Sequence, residues 1–197
     1  MKIAQEVLLI SKGSFEESQD WVIIQNEIRH AIELIVWPPG ASNFTINPTG
    51  HGNGVKPIKN TCMTTLKENF GWRLETKVTY ATRSPGRIDA TKVLDNHLFA
   101  LEWETGNISS SHRAVNKLVL GMLRRVILGS ALVLPSRKIY PYLTDRIGNF
   151  EELEPYFDVW RAVALPEGFL AIFVVEHDAI DSNVPRITKG TDGRALI

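Results

Sequence analysis

The stretch Leu101-Glu102-Trp103-Glu104-Thr105-Gly106-Asn107-Ile108-Ser109-Ser110, read with Gly86-Arg87-Ile88-Asp89 upstream, decides the fold. Residues 97 to 104 alternate: Leu98, Ala100, Glu102 and Glu104 share one face, and Phe99, Leu101 and Trp103 the other. That is the period of a half-buried strand. Glu102 and Glu104 therefore project the same way, one repeat apart, and Asp89 ends a short segment able to pair alongside. Carboxylates gathered in this way repel one another unless cations stand between them. Oxygen ligands of this kind suit magnesium, and magnesium suits phosphoryl chemistry.

Outward from that strand, helical and strand-like periods take turns. Trp21, Ile24, Ile28, Ile32 and Ile35 recur at helical spacing between Glu16 and Val36, and Trp37-Pro38-Pro39-Gly40 stops that helix. Residues 40–56 read as a loop, and Pro57 opens a second helix ending near Gly71. Strands are expected over Leu74–Tyr80, Arg87–Thr91 and His97–Glu104. Asn107 or Ser109 caps a helix to about Leu128, with Val115, Leu118, Val119, Met122 and Val126 as its apolar stripe. A short strand, Ala131–Leu134, follows. Asn149 and Glu152 have capping-box spacing for a helix ending near Val159. The apolar run Phe169–Val175 suits a central strand, and the chain from His177 reads as an irregular arm. The class is α/β: one domain over residues 1–197, a central mixed β-sheet flanked by helices.

Composition narrows the setting. Of the 197 residues 44% are hydrophobic, as in a globular protein. The single cysteine, Cys62, excludes an internal disulfide and a zinc set, which suits a reducing compartment. The apolar run in Met1–Gly13 is interrupted by Glu6, too short and too charged for a signal peptide or membrane span. A cytoplasmic protein without a membrane partner is expected. Net charge is zero, but its distribution is uneven: residues 105–146 carry seven Lys/Arg and one acid, residues 147–178 seven acids and one base. A basic block beside an acidic one makes one positive face without a positive protein. Either a phosphate backbone or plain solvated helix faces fit that distribution.

Asp89, followed thirteen residues later by Glu102-Trp103-Glu104, matches the nuclease pattern Asp…(Asp/Glu)-x-Lys with glutamate in the lysine position. Alone the pattern is weak, since acidic alternation also occurs on solvated strands. Other stretches add to it: Phe44-Thr45-Ile46-Asn47, Asn53-Gly54-Val55-Lys56-Pro57-Ile58-Lys59, Glu102 to Ser110 with His112-Arg113, and Asn116-Lys117-Leu118. Tyr142 to Arg146, Asn149 to Phe157, and Asn183-Val184-Pro185 with Lys189-Gly190 complete the series. In this order they resemble the BamHI family of type II restriction endonucleases, which shares the glutamate at the lysine position.

The resemblance implies a restriction-endonuclease-like core in a bacterial enzyme acting on double-stranded DNA. It implies that Asp89, Glu102 and the Trp103 carbonyl hold one magnesium ion, and that Glu75 shares a second with Asp89. Glu104 then serves as general base. Asn107, Ser109, Arg113, Asp145 and Arg146 would read base edges, Lys59 would meet phosphate, and Gly190, Asp192 and Gly193 would belong to an arm entering the minor groove. A homodimer matching a palindrome is implied, with no protein cofactor, and the matched base-reading set implies the target GGATCC, cut after the first G. Its interface would use the helix from Ser110 and the helix from Asn149. The apolar run Met122–Leu128 is read as widening that interface, with burial in the core as the alternative.

Without the resemblance, Asn107 and Ser109 read equally as N-caps, Asp145-Arg146 as a surface pair, Glu75 as an exposed edge acid and His112 as structural. A low-specificity magnesium nuclease, a DNA-binding protein with lapsed catalysis and a two-carboxylate glycosidase are the competing functions.

Overall fold

The computed structural model describes residues 1–78, 85–95 and 97–190. Among them, six strands form a mixed sheet in the order β1-β7-β6-β5-β4-β3. These are β1 (Lys2–Lys12), β3 (Arg73–Lys77), β4 (Arg87–Leu94), β5 (His97–Trp103), β6 (Ile127–Pro135) and β7 (Gly168–Glu176). β5, β6 and β7 run parallel, β3 and β4 pair antiparallel toward one edge, and β1 pairs antiparallel with β7 at the other. Two short strands, β2 (Thr45–Ile46) and β8 (Ala179–Ile180), pair separately. The expected mixed sheet flanked by helices is what forms.

Helices α1 (Gln19–Glu33) and α2 (Lys56–Phe70) cover one face of the sheet. Helix α3 (Ile108–Leu123) and the short helices α4 (Phe150–Leu153) and α5 (Phe157–Arg161) cover the other. Two apolar clusters result, one on each face. β7 alternates between them: Phe169, Ala171, Phe173 and Val175 face α1 and α2, while Leu170, Ile172 and Val174 face α3 to α5. A strand covered on both sides reads as a continuous apolar run for that reason. β5 divides likewise, with Phe99, Leu101 and Trp103 in one cluster and Ala100 in the other. It is thus covered on both faces, not half-buried as its alternation suggests; Glu102 is a buried exception at its end.

Several boundaries differ from the sequence reading. The eleven-residue β1 is missed because charged and polar residues break its apolar period. It lies at the sheet edge, where Glu6 is held by Arg29 at 2.7 and 2.9 Å and by Gln25 at 2.8 Å. Helix α1 starts after Ser18, whose hydroxyl accepts from the Trp21 amide, and a separate 3-10 turn holds Phe15–Glu17. It ends at Glu33, before the expected Val36. Helix α3 stops at Leu123, not Leu128. Arg125 adopts φ 56°, and the Val126 amide donates back to the Gly121 carbonyl. This left-handed closure needs no glycine to mark it in sequence, and it sends Ile127 directly into β6. A side chain at Gly121 would meet Ile127 Cδ1 at 2.4 Å, so the glycine admits the returning strand.

That return settles the run Met122–Leu128. Met122 and Ile127 are buried, and Val126 and Leu128 pack against the two clusters; Leu123 alone of its apolar residues is substantially exposed. The run is mainly core, which corrects the interface reading. The helix expected from Asn149 to Val159 is instead α4, a 3-10 turn and α5, with the Asn149 side chain accepting from the Glu152 amide as its spacing indicates. None of the helices in the described residues is long and apolar enough to cross a membrane.

Phe99 joins the sheet to the helix layer. It is fully buried and lies within about 6 Å of the rings of Phe15, Trp21 and Trp72. We expect Phe99→Ala to cost about 3–5 kcal/mol, read as a lower denaturation midpoint in urea. A loss below about 1 kcal/mol would show that the aromatic group repacks without it.

Candidate active site

The sheet itself brings the carboxylates together. One step past the Ala90–Leu101 pair, β4 and β5 set Asp89 beside Glu102. On the other side of β4, Glu75 lies between the pairs Leu74–Ala90 and Thr76–Ile88, and so across from Asp89. Glu75 departs from strand geometry, with φ 50°, and is exposed. Glu104 follows β5 directly, its amide bonded to the Val133 carbonyl at 2.9 Å. Asp89, Glu102 and Glu104, which alternation brings together, lie close enough to act on one another's charge, and the strand register sets Glu75 across from Asp89.

Ammonium groups stand among these acids. Lys59 from α2 lies 2.6 Å from Asp89 Oδ1, while the Trp103 amide donates to Asp89 Oδ2 at 2.8 Å. Lys117 from α3 lies 2.5 Å from Glu102 Oε1 and donates to the Arg87 carbonyl at 2.6 Å. That buried oxygen is thus partnered by the Lys117 ammonium. Among the described residues, no three His, Cys, Asp or Glu side chains close into a metal-sized cluster. The sequence reading foresaw cations between the acids but did not assign them to the protein's own lysines. Lys117 was legible: Ser109, Arg113 and Lys117 recur every fourth residue as a polar stripe opposite the apolar face of α3.

Burial dominates the electrostatics. It raises the Glu102 carboxyl to about 8, with Asp89 pushing the same way and Lys117 opposing. Burial also raises Glu104, again with Asp89, against Lys59, Lys117 and Arg113. Both acids are therefore held closer to neutral pH than ordinary glutamates.

A cleft of about 560 Å³ adjoins this cluster and is lined by Lys59, Glu75, Asn107, Asp145, Arg146 and Gly190, among others. It gathers residues from α2, β3, the start of α3, the loop before α4 and the C-terminal arm. A larger depression, about 840 Å³, lies around β1, Arg29 and Asp178 and contains none of the candidate residues. Asn107 caps α3, its side chain accepting from the Ser110 amide at 3.1 Å. Ser109 and Arg113 are exposed on the same helix. The loop carrying Asp145 and Arg146 is drawn against α3 by the Gly148 amide, which donates to the Gly106 carbonyl at 2.8 Å. A side chain at Gly148 would meet Ile108 Cα at 2.9 Å, so this approach requires glycine. Asp145 and Arg146 are exposed, 3.5 Å apart, and Arg146 has φ 64°. Asp192 and Gly193 lie outside the described residues. His112 packs edge-on against Tyr156, 4.5 Å between centroids, and beside Trp160.

The raised Glu102 carboxyl has a consequence for stability. The folded chain holds that proton more tightly than the unfolded chain, whose carboxyl titrates near its ordinary 4.5. This group's contribution therefore falls as pH rises from about 4.5 to about 8. We expect Glu102→Gln to flatten that part of the urea-stability profile, measured between pH 5 and pH 8 in chelator. An identical slope in the variant would assign the pH dependence elsewhere.

Comparison with known proteins identifies the family. The family model described as Restriction endonuclease BamHI matches residues 1–194. The chain is 55% identical over 197 residues to the type II restriction enzyme OkrAI of Oceanobacter kriegii, covering all of both chains. It is 41% identical over 187 residues to the type II restriction enzyme BamHI of Bacillus amyloliquefaciens, covering 89% of this chain and 85% of that one. In fold it is similar to the restriction endonuclease BglII in complex with a DNA 16-mer, with a TM-score of 0.60 at 10% identity, over 95% of this chain and 88% of that one. The chain belongs to the BamHI family and is a type II restriction endonuclease.

Proposed function

We propose that the chain, as a homodimer, cuts double-stranded DNA at GGATCC after the first G, leaving four-base 5′ overhangs with two magnesium ions per site. The observation that supports this reading is the single cleft in which Glu75 and Lys59, beside the buried acids, meet Asn107, Asp145 and Arg146. Chemistry and base readout are then adjacent, as cutting within a recognised sequence requires. The target follows from the matched base-reading set Asn107, Ser109, Arg113, Asp145 and Arg146. Arginine suits guanine, aspartate accepts from cytosine, and asparagine serves adenine or a shared network. Gly190, Asp192 and Gly193 would belong to an arm that enters the minor groove, and Lys59, paired here with Asp89, would meet phosphate.

The donor set fits magnesium. It is composed of hard carboxylate and carbonyl oxygens on neighbouring strands. Asp89, Glu102 and the Trp103 carbonyl would hold one ion and Glu75 with Asp89 the other. Magnesium bound there would polarise the scissile phosphate, acidify a water and stabilise the leaving oxygen. Glu104 takes a proton from the water as the new O–P bond forms in line with the breaking P–O3′ bond. Its raised carboxyl suits that role, since a base works best near the operating pH. Lys117 opposes the rise of the Glu102 carboxyl, and magnesium bound there would favour its charged form.

A dimer matches a palindrome by symmetry. Its support here is the exposure of Leu123 on α3 and of Tyr156 and Val159 around α5, at 47%, 49% and 64%, on the helices the resemblance implies for the interface.

The deciding experiment is incubation with plasmid DNA carrying GGATCC, with and without magnesium, followed by end mapping. Magnesium-dependent breaks confined to GGATCC support the whole reading. A different fixed sequence would retain the enzyme and replace the target, whereas scattered cuts would leave a low-specificity nuclease. Glu104→Ala should lower cleavage by about 10²- to 10⁴-fold while retaining DNA binding in chelator, and near-wild-type cleavage would remove the general-base role. Lys117→Met should move the alkaline rise of the rate to higher pH, because Glu102 loses the charge that holds its carboxyl down. A profile shifted to lower pH would contradict that role.

A further inference from the structure

Three segments meet at one buried side chain. Asn53 is fully buried. Its amide nitrogen donates at 2.8 Å to both the Asn47 and Tyr142 carbonyls, and its amide oxygen accepts from the Ile187 amide at 3.1 Å. The Asn53 backbone amide donates to the Tyr142 carbonyl at 3.0 Å, and its carbonyl accepts from Thr144 Oγ1 at 3.1 Å. Gly54 extends the junction: its amide donates to the Ile187 carbonyl at 2.8 Å, and a side chain there would meet the Thr188 carbonyl oxygen at 2.2 Å. All three segments continue within a few residues into the cleft, at Val55-Lys56, at Asp145-Arg146 and at Gly190.

We propose that Asn53 is a positioning residue for DNA readout, clamping the loop that carries Asp145 and Arg146 to the arm that carries Gly190. The proposal rests on the sequence-specific endonuclease reading above. Both segments lack regular secondary structure near the cleft, so sheet hydrogen bonds do not set their spacing. An asparagine amide is suited to the task because it donates twice and accepts once or twice from one rigid group. Its bonds are made in a water-excluded place, where an unmade partner is costly. None of the Asn53 side-chain hydrogen bonds is to Asp89, Glu102 or Glu104, and those acids are brought together by the β4–β5 pairing and met by Lys59 and Lys117. The clamp therefore bears on which sequence is accepted, and the carboxylates on how fast the bond is cut.

Asn53→Asp tests this at constant size, since it sets acceptors against the Asn47 and Tyr142 carbonyls. Two quantities are measured. The first is the ratio of cleavage rates, under saturating enzyme, for duplexes carrying the wild type's own preferred site and the same site with one base changed. The second is hydrogen exchange of peptides covering residues 183–190. We expect the ratio to fall at least tenfold, the rate on the preferred site to change less than threefold, and exchange at Ile187 to accelerate. Ile172→Val, a core change among the α3–α5 contacts, should leave the ratio and the exchange unchanged and so separates positioning from general loss of stability. Where Asn53→Asp does not fold by circular dichroism, Asn53→Ser, which keeps one donor, carries the same comparison. A folded Asn53 variant with wild-type discrimination overturns the proposal, as does one whose ratio and rate fall equally. A wild type that cuts without sequence preference overturns the reading beneath it, and that outcome appears before any variant is made.

Discussion

Burying several carboxylates at the end of one strand pair is the constraint on which the rest of this structure depends. An ionised carboxylate deprived of water is expensive unless another charge or a donor replaces the solvent. Here the replacement comes from both helical layers at once. Helix α2 supplies Lys59 to Asp89, and helix α3 supplies Lys117 to Glu102. The backbone adds the Trp103 amide. The two layers are therefore joined to the sheet by charge at the one place where apolar packing cannot do it. The same strands that bring the acids together bury Phe99, Leu101, Ala90 and Ile88, which fixes the register and hence the site.

Around that rigid centre the cleft is made of irregular chain, and its order comes from polar and glycine contacts. Gly148 lets the Asp145–Arg146 loop lie backbone against backbone on the start of α3, while Asn53 and Gly54 draw in the arm. Asn107 is both the cap of α3 and a wall of the cleft. The choice between cap and base reader left open by sequence is therefore not exclusive.

What could be read from sequence follows from what periodicity encodes. The strand pair β4–β5, the capping of α3 by Asn107, the glycine stop of α2 and the two-faced burial of β7 were visible because each depends on local pattern. β1 was not, since an edge strand with a charged outer face loses the apolar alternation that marks a strand. The end of α3 was not, because Arg125 takes a left-handed conformation without the glycine that advertises it. The acidic half of the site was legible from spacing and from family resemblance. Its basic half was only partly so: Lys59 was read as a phosphate contact, and Lys117 went unassigned. A lysine on a helix reveals its partner only once the helix has been docked on the sheet. Asn53 is still less visible, being one polar residue in a loop whose significance is entirely tertiary.

The glutamate at position 104 becomes intelligible in this light. A lysine there would add an ammonium at the strand end, where Lys59, Lys117 and Arg113 already act on the local carboxylates. With positive charge delivered from α2 and α3, the strand position is released from the task of neutralising its neighbours. A carboxylate placed there is pushed upward by burial and by Asp89, and held back from full protonation by the three cations. These opposing charges set how readily Glu104, the general base proposed above, gives up its proton. If Glu104 is the general base proposed above, the residue type just beyond β5 is thus tied to side chains on α2 and α3.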